Sequence, residues 1–244
     1  MRVALISDIH ANLEALESVL KDIESQQVDM IYCLGDVVGY GCDPIACLDL
    51  VKANCQLTLM GNHEWVALGR LSIDQLNDSA GVSILWTREQ LTDRELAIIS
   101  EFPLEATVND ALLVHASPFE PDAWHYILNN EAAAVAFDNS NHSICFYGHT
   151  HVPMIFSRSN VGHLRQRVGH DFMPDETARY LINVGSVGQP RDHDPRACYA
   201  VYDTSDGEQE VTYHRVAYDI RLTQSKMIKA DVPTMLIERL AVGR

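Results

Sequence analysis

Five short apolar runs in this chain each end in a polar residue able to hold a metal. VALIS leads into Asp8-Ile9-His10, MIYCLG into Asp36, LTLMG into Asn62-His63, ALLV into His115, and ICFYG into His149-Thr150-His151. A single Asp after a strand is more often an N-cap or turn residue, because its side chain satisfies free backbone amides there. Five segments with the same grammar point instead to one constellation, since open sheets bind ligands outside the carboxyl ends of their strands. The set of imidazoles, two carboxylates and an amide oxygen is too rich for one tetrahedral zinc and lacks the thiolates of a structural zinc site. Two divalent metals fit better. A bridging carboxylate would hold such a pair roughly 3.5 to 4 Å apart and activate water for in-line attack at phosphorus.

Asp8-x-His10, Gly35-Asp36-x-x-Gly39, Gly61-Asn62-His63-Glu64, His115 and Gly148-His149-Thr150-His151 together resemble the calcineurin-like metallophosphoesterases in type, order and spacing, over residues 1–203. The segment 183–192, Asn-Val-Gly-Ser-Val-Gly-Gln-Pro-Arg-Asp, is similar to the small bacterial and archaeal single-domain, phosphodiesterase-like branch. The resemblance implies that Asp8, His10 and His151 hold one metal, that Asn62, His115 and His149 hold the other, and that Asp36 bridges them. It also implies attack by a metal-bridging hydroxide on a small phosphate ester, a phosphodiester or nucleotide, with His63 aiding the leaving oxygen. A group whose unperturbed pKa is near 6.5 suits that task. Manganese, iron, zinc and nickel all remain open as the metal, because divalent preference follows availability as much as ligand type.

Departures from the wider superfamily narrow the expectation. Protein Ser/Thr phosphatases of this fold carry an acidic residue and an arginine where this chain has Gly39 and Tyr40. The better match is the small-molecule branch, with phosphomonoesterases and dinucleoside polyphosphate hydrolases as alternatives, and some group other than the usual Asp must orient His63. A retromer subunit resembles these enzymes yet works as a protein-binding scaffold with an altered metal site. The intact ligand set here argues for an enzyme.

Of eleven histidines, His125, His142, His163, His170, His193 and His214 fit no ligand pattern and read as surface or core residues. Arg191 is a candidate for bidentate phosphate binding, balanced against an ion pair with Asp192 or Asp194. Arg158, Arg165, Arg167 and Arg179 read as a solvated hairpin or loop, with phosphate reading over the crevice or an oligomer contact as the lesser option. Trp124, His125 and Tyr126 would form either packing or an aromatic loop able to stack on a base.

The elements that must position these residues alternate. Leu13, Leu16, Val19, Leu20 and Ile23 recur at helical spacing behind Asn12 as N-cap. A second helix starts near Pro44. Residues 74–100 read as two helices, with Leu76, Ala80 and Ile84 on one face of the first and Thr92 capping the second. Strands are expected at 104–108, 111–115, 143–147, 180–184, 198–202 and 211–216, with Asn109-Asp110 as a tight turn. The tail from 219 to 240 reads as helical. Two facing mixed sheets with helices outside would bury these runs, which agrees with the four-layer α/β/β/α sandwich implied by the resemblance to metallo-dependent phosphatases. The ligand motifs span residues 8–151, so the expectation is one domain over 1–244 with a helical tail at 218–244.

The net charge of −16 disfavours a nucleic-acid polymer as partner. No apolar stretch is long enough to span a bilayer, and residues 2–6 already read as strand, so a cytoplasmic protein is expected. A homo-oligomeric partner stays open. The six cysteines show no C-x-x-C pair and read as reduced thiols.

Overall fold

The computed structural model describes residues 1–73, 78–205 and 207–244. Two mixed sheets face one another, with helices flanking them. The first sheet has the order β11-β10-β1-β2-β3, built from β1 (Arg2–Ile6), β2 (Met30–Cys33), β3 (Leu57–Thr58), β10 (Ala197–Asp203) and β11 (Glu210–Val216). The second has the order β4-β5-β6-β9-β7-β8, from β4 (Glu105–Val108), β5 (Ala111–Val114), β6 (Ile144–Tyr147), β7 (Met154–Ser159), β8 (Leu164–Val168) and β9 (Ala178–Asn183). The four-layer arrangement expected from sequence is what is found.

Side-chain alternation explains why both faces of each sheet are apolar. In β1, Val3 and Leu5 enter the core between the sheets, while Ala4 and Ile6 face outward onto α1 (Leu13–Ser25) and α2 (Pro44–Asn54). In the second sheet Leu113, Ile144 and Phe146 point inward, and Leu112, Val114, Cys145 and Tyr147 point to α6 (Asn130–Asp138). Each fully buried large apolar side chain contributes about 1.5–3 kcal/mol relative to exposure.

The catalytically suggestive strands are the parallel ones. β1 pairs parallel with β2, β2 with β3, β5 with β6, and β6 with β9, so their carboxyl ends share one edge. Asn12 caps α1 by accepting from Ala15 N, and Thr92 with Glu95 forms a capping box on α5 (Asp93–Ser100). Asn109 and Asp110 both take positive φ, at 44° and 63°, in the tight turn joining β4 to β5. The insert contributes α4 (Asp78–Gln90), and Leu76 lies outside the described residues. The short helix α3 (Asn62–Ala67) begins at the metal-capable Asn62.

The hairpin expected around the arginines and the helical tail are present, while one helix was not foreseen. The polar arginine-bearing stretch is an ordered antiparallel hairpin, β7–β8, added to the sheet edge. Its strand β7 carries Ile155 and Phe156 into two different cores, a short alternation hidden among Arg and Ser. The helix α6 was not foreseen, because its buried face consists of Ala133, Ala136 and Phe137, which gives little apolar signal. The tail forms α7 (Ile220–Lys229) and α8 (Thr234–Glu238). Lys226 anchors α7 on Glu14 at 2.7 Å and Asp43 at 2.5 Å, and Met227, Leu236, Ile237 and Leu240 form a small core with Tyr40 and Ala80. No helix among the described residues is long and apolar enough to cross a membrane.

Candidate metal centre

The loops that follow β1, β2, β3, β5 and β6 bring Asp8, His10, Asp36, Asn62, His63, His115, His149 and His151 together, all buried. Asp8, His10 and His151 converge as one group, Asp36, His115 and His149 as a second, and His10, Asp36 and His63 as a third, each with donor atoms within 4.8 Å of one another. Asp36 is common to the last two groups. His151 Nε2 lies 3.3 Å from Asp8 Oδ1, and His115 Nε2 lies 3.3 Å from Asp36 Oδ2.

Such crowding needs a backbone that leaves its strands sharply. Asp8, His10, Asp36, His149 and His151 all sit at positive φ, between 51° and 62°. Left-handed backbone at residues other than glycine costs roughly 1 kcal/mol or more each and persists where the surroundings enforce it. Main-chain bonds supply that enforcement: Asp8 N donates to Gly35 O at 3.0 Å, His10 N to Asp36 O at 2.9 Å, and Gly148 N to His115 O at 2.9 Å. The segment after β9 adds Gly188 N to Asp8 O at 2.9 Å and Ser186 Oγ to Asp8 O at 2.8 Å. Gly148 permits close approach, since a β-carbon there would lie 2.4 Å from Asp8 Oδ2.

Four imidazoles each have one ring nitrogen against a main-chain carbonyl: His10 Nδ1 at 3.2 Å from Val38 O, His115 Nδ1 at 2.9 Å from Leu34 O, His151 Nδ1 at 2.6 Å from Gln189 O, and His149 Nε2 at 3.0 Å from Trp124 O. A carbonyl only accepts, so each of those nitrogens carries the proton; the opposite nitrogen of His10, His149 and His151 offers a lone pair, and that of His115 does so once its second proton is displaced. For His10 and His151 those opposite Nε2 atoms face each other at 3.0 Å, an arrangement that two lone pairs do not favour unless a cation is near. Asn62 Oδ1 and His115 Nε2 are buried and make no hydrogen bond. Orphaned donors of these types, beside two carboxylates, fit divalent cations.

The electrostatics agree with a site built around positive charge. Burial, reinforced by Asp36, pushes the Asp8 carboxyl up to about 7. Burial also opposes protonation of His115, yet Asp36, Asp8 and Glu64 outweigh it and raise the imidazole to about 9. Against burial, His115 and His63 hold Asp36 well below the usual carboxylate range. Burial lowers His10 and His151 far below the ordinary imidazole value and lowers His149 to about 3, so these three are neutral donors.

Glu64 is the structural residue that the sequence did not single out. Its buried carboxylate accepts from Asp36 N and Gly61 N, each at 2.9 Å, and from Val38 N at 3.0 Å, locking the Asp36 loop to the start of α3. Burial and Asp36 push it up to about 7. Its place three residues after Gly61, at the first turn of a helix, was the available signal.

The buried Nδ1 of His63 makes no hydrogen bond, although an Asp36 oxygen lies within 4.8 Å of the ring. Its ring centroid lies 4.6 Å from Tyr40 and 4.7 Å from His10, and its main-chain N donates to Asp36 Oδ1 at 2.9 Å. Packing therefore orients it. Tyr40 is itself held by its N–H to Ser83 Oγ on α4 at 2.5 Å, so the helical insert both packs in the core and supports this wall.

Arg191 is not paired with its acidic neighbours. Asp192 takes Arg215 and Asp194 takes Arg196, while Arg191 donates to Gln189 Oε1 at 2.8 Å with its guanidinium 5.7 Å from the Tyr40 ring centroid. Arg158 and Arg179 instead bind the carboxyl end of α6, through Asp138 and the carbonyls of Phe137, Ser140 and His142, where the helix dipole favours cations. Both guanidiniums are thereby committed to that helix end. Trp124 is buried and gives its carbonyl to His149, whereas Tyr126 is half exposed and stacks on His149 at 4.0 Å. His125 pairs with Glu120, and His193 is held by Gly243 and Arg244.

The chain is similar in sequence to the protein MJ0912 of Methanocaldococcus jannaschii, 39% identical over 247 residues that cover 99% of this chain and 98% of that one. A solved metallophosphoesterase of Sphaerobacter thermophilus is 41% identical, with full coverage of both chains and a TM-score of 0.86. The protein PH1004 of Pyrococcus horikoshii shares the fold at 19% identity, TM-score 0.78, over 100% of this chain and 98% of that one. A family model described as the calcineurin-like phosphoesterase superfamily domain matches residues 1–207. With an Asp, His and Asn cluster at the sheet edge and a family match over that same span, the chain belongs to the calcineurin-like phosphoesterase superfamily.

Proposed function

We propose that this protein is a dimetal-dependent phosphoesterase that hydrolyses a small phosphodiester or nucleotide. The observation that carries the reading is the set of four imidazoles, each tied to a carbonyl by one nitrogen so that the other converges with Asp8, Asp36 and the orphaned Asn62 Oδ1. In this reading Asp8, His10 and His151 hold one cation, Asn62, His115 and His149 the second, and Asp36 contributes to both. When bound, such a pair supplies Lewis-acid polarisation of the phosphoryl oxygens and activation of water.

The protein's own groups do the rest. Asp8 and Asp36 offset the dications, and the neutral Asn62 oxygen keeps the site from repelling an anionic ester. His63, wedged between Tyr40 and His10, holds a proton near the leaving oxygen, and burial lowers its pKa, which makes it a ready donor once charged. Arg191 offers unused guanidinium nitrogen toward a non-bridging oxygen. Residues 1–244 are read as one such domain, with the 218–244 tail closing against Tyr40.

The test is hydrolysis of bis-p-nitrophenyl phosphate beside p-nitrophenyl phosphate by metal-stripped protein re-supplied separately with manganese, nickel, iron and zinc. Metal-dependent cleavage with preference for the diester is the expected result. Preference for the monoester would make it a phosphomonoesterase, and no turnover of either ester with two metals bound would point to a narrow substrate or a scaffold instead.

A further inference from the structure

The loop between β5 and α6 holds one ring at the metal centre that is only half withdrawn from water. Trp124 and Ile127 of this loop are buried, at 8% and 2% exposure, whereas Tyr126 between them is 50% exposed. Trp124 packs edge-on to Trp65 and His115, with ring centroids 5.8 and 5.9 Å away, and Ile127 enters the core beneath α6. His125 stacks on Phe119 at 5.1 Å and pairs with Glu120 at 2.9 Å. Glu120 and Trp124 both take positive φ, at 47° and 58°, so the chain bends sharply and these contacts hold the bend.

Fixed by those anchors, Tyr126 stacks on His149, with ring centroids 4.0 Å apart and planes 28° from parallel. The same loop gives Trp124 O to His149 Nε2 at 3.0 Å, so the tyrosine ring and the imidazole it covers are tied to one another. Among the described residues no second aromatic ring or guanidinium covers the other face of Tyr126, and its hydroxyl makes no hydrogen bond.

An aromatic side chain stabilises a fold by leaving water, which Tyr126 does only by half. A rigid ring with one open face beside a polar centre is a stacking surface, and every nucleobase has a flat face that suits it. A group laid on that open face would lie about 8 Å from the His149 ring, two stacking intervals of 4.0 Å. Base and phosphorus within one nucleotide are separated by a similar distance. Alkyl and sugar phosphates present no flat face there.

Resting on the metallophosphoesterase reading, we infer that Tyr126 determines the specificity of this centre, by stacking on the base of a nucleoside phosphate ester whose phosphate lies at the cluster of Asp8, Asp36 and the histidines. The substrate class is then nucleotidic, and sugar, lipid and simple alkyl phosphates are disfavoured for want of a stacking partner. Tyr126 acts in binding and takes no part in bond breaking.

Titration calorimetry of the full-length protein in saturating manganese compares AMP with ribose 5-phosphate, which share sugar and phosphate and differ by the base. AMP should bind about tenfold tighter, as one base–aromatic stack predicts. That ratio should fall to near one in Tyr126→Leu, which keeps apolar bulk without the flat face, and persist in Tyr126→Phe, which loses only the hydroxyl. Equal affinities in the wild type, an unchanged ratio in Tyr126→Leu, or a ratio lost in Tyr126→Phe as well overturns the stack. Melting temperature and bound manganese of each variant establish that it is folded and loaded. Should Tyr126→Leu fail that check, the fluorescence of 2-aminopurine riboside 5′-monophosphate on wild-type protein decides: quenching on binding supports the stack, and unquenched emission overturns it. Because the readout is binding, absence of p-nitrophenyl ester hydrolysis counts against the enzymatic reading alone, and absence of a base preference in an active protein counts against Tyr126 alone.

Discussion

Replacing Gly39 by alanine tests what positions His63. A β-carbon on Gly39 would lie 2.0 Å from His63 Nδ1 and 2.9 Å from Cγ and Cε1 of the same ring. Ordinary contact between such atoms is about 3.5 Å, so the imidazole must retreat by about 1.5 Å. It cannot do so freely, since Tyr40 and His10 flank it at 4.6 and 4.7 Å. Gly39 also has φ of +87°, where alanine costs about 1–2 kcal/mol. A displacement of about 1 Å in a catalytic group costs on the order of a hundredfold in rate. Gly39→Ala should therefore lower kcat on bis-p-nitrophenyl phosphate about a hundredfold in saturating manganese, while metal content after desalting stays at the wild-type value. Melting should fall by roughly 2–8 °C for a chain of this size. Turnover within about threefold of wild type would refute the role assigned to His63 through its position. A parallel loss of metal would show instead that His63 ligates together with His10 and Asp36, a grouping the distances permit.

Asp36→Asn and His149→Ala should each remove nearly all turnover and lower bound metal, measured by elemental analysis; normal turnover in both would dismiss the assigned site. Glu64→Gln leaves one acceptor oxygen for three main-chain donors and should cost about 2–3 kcal/mol in urea unfolding, and a wild-type midpoint would show that the lock on Asp36 is unimportant. The stability of metal-stripped protein should fall with pH above neutrality. His115 binds its proton more tightly in the folded chain, with a value of about 9 against 6.5, so its contribution is complete below 6.5 and is lost as pH climbs through 9. The lowered imidazoles of His10, His149 and His151 act oppositely but finish near 6.5, so the window is pH 7.5–8.5. Buried thiols such as Cys55, raised to about 12, add to the fall near its upper end, so the informative quantity is the difference from His115→Asn, about 1 kcal/mol across that window. Identical slopes for the two proteins would refute it.

The residues that converge in the structure were legible in the sequence because strand ends impose a fixed grammar. An apolar run that terminates at a left-handed Asp or His can present its side chain to one edge only, and parallel pairing of β1 with β2 and of β5 with β6 makes that edge common. What the sequence hid are the contacts that act across chain distance. Glu64 looks like an ordinary first-turn acid until Asp36 N and Val38 N, from another loop, are found on it. Trp124 looks like a packing aromatic, and its decisive atom is a carbonyl, which every residue has. Tyr40 carries no motif value, yet it is the surface on which His10, His63 and Arg191 all rest. The tail shows the same limit: its helical spacing was readable, but its docking through Lys226 onto Glu14 and Asp43 depends on charges more than 180 residues apart in sequence. Chemistry that strand ends encode is local and can be read from sequence. The wall around Tyr40 is assembled from distant segments and emerges only with the fold.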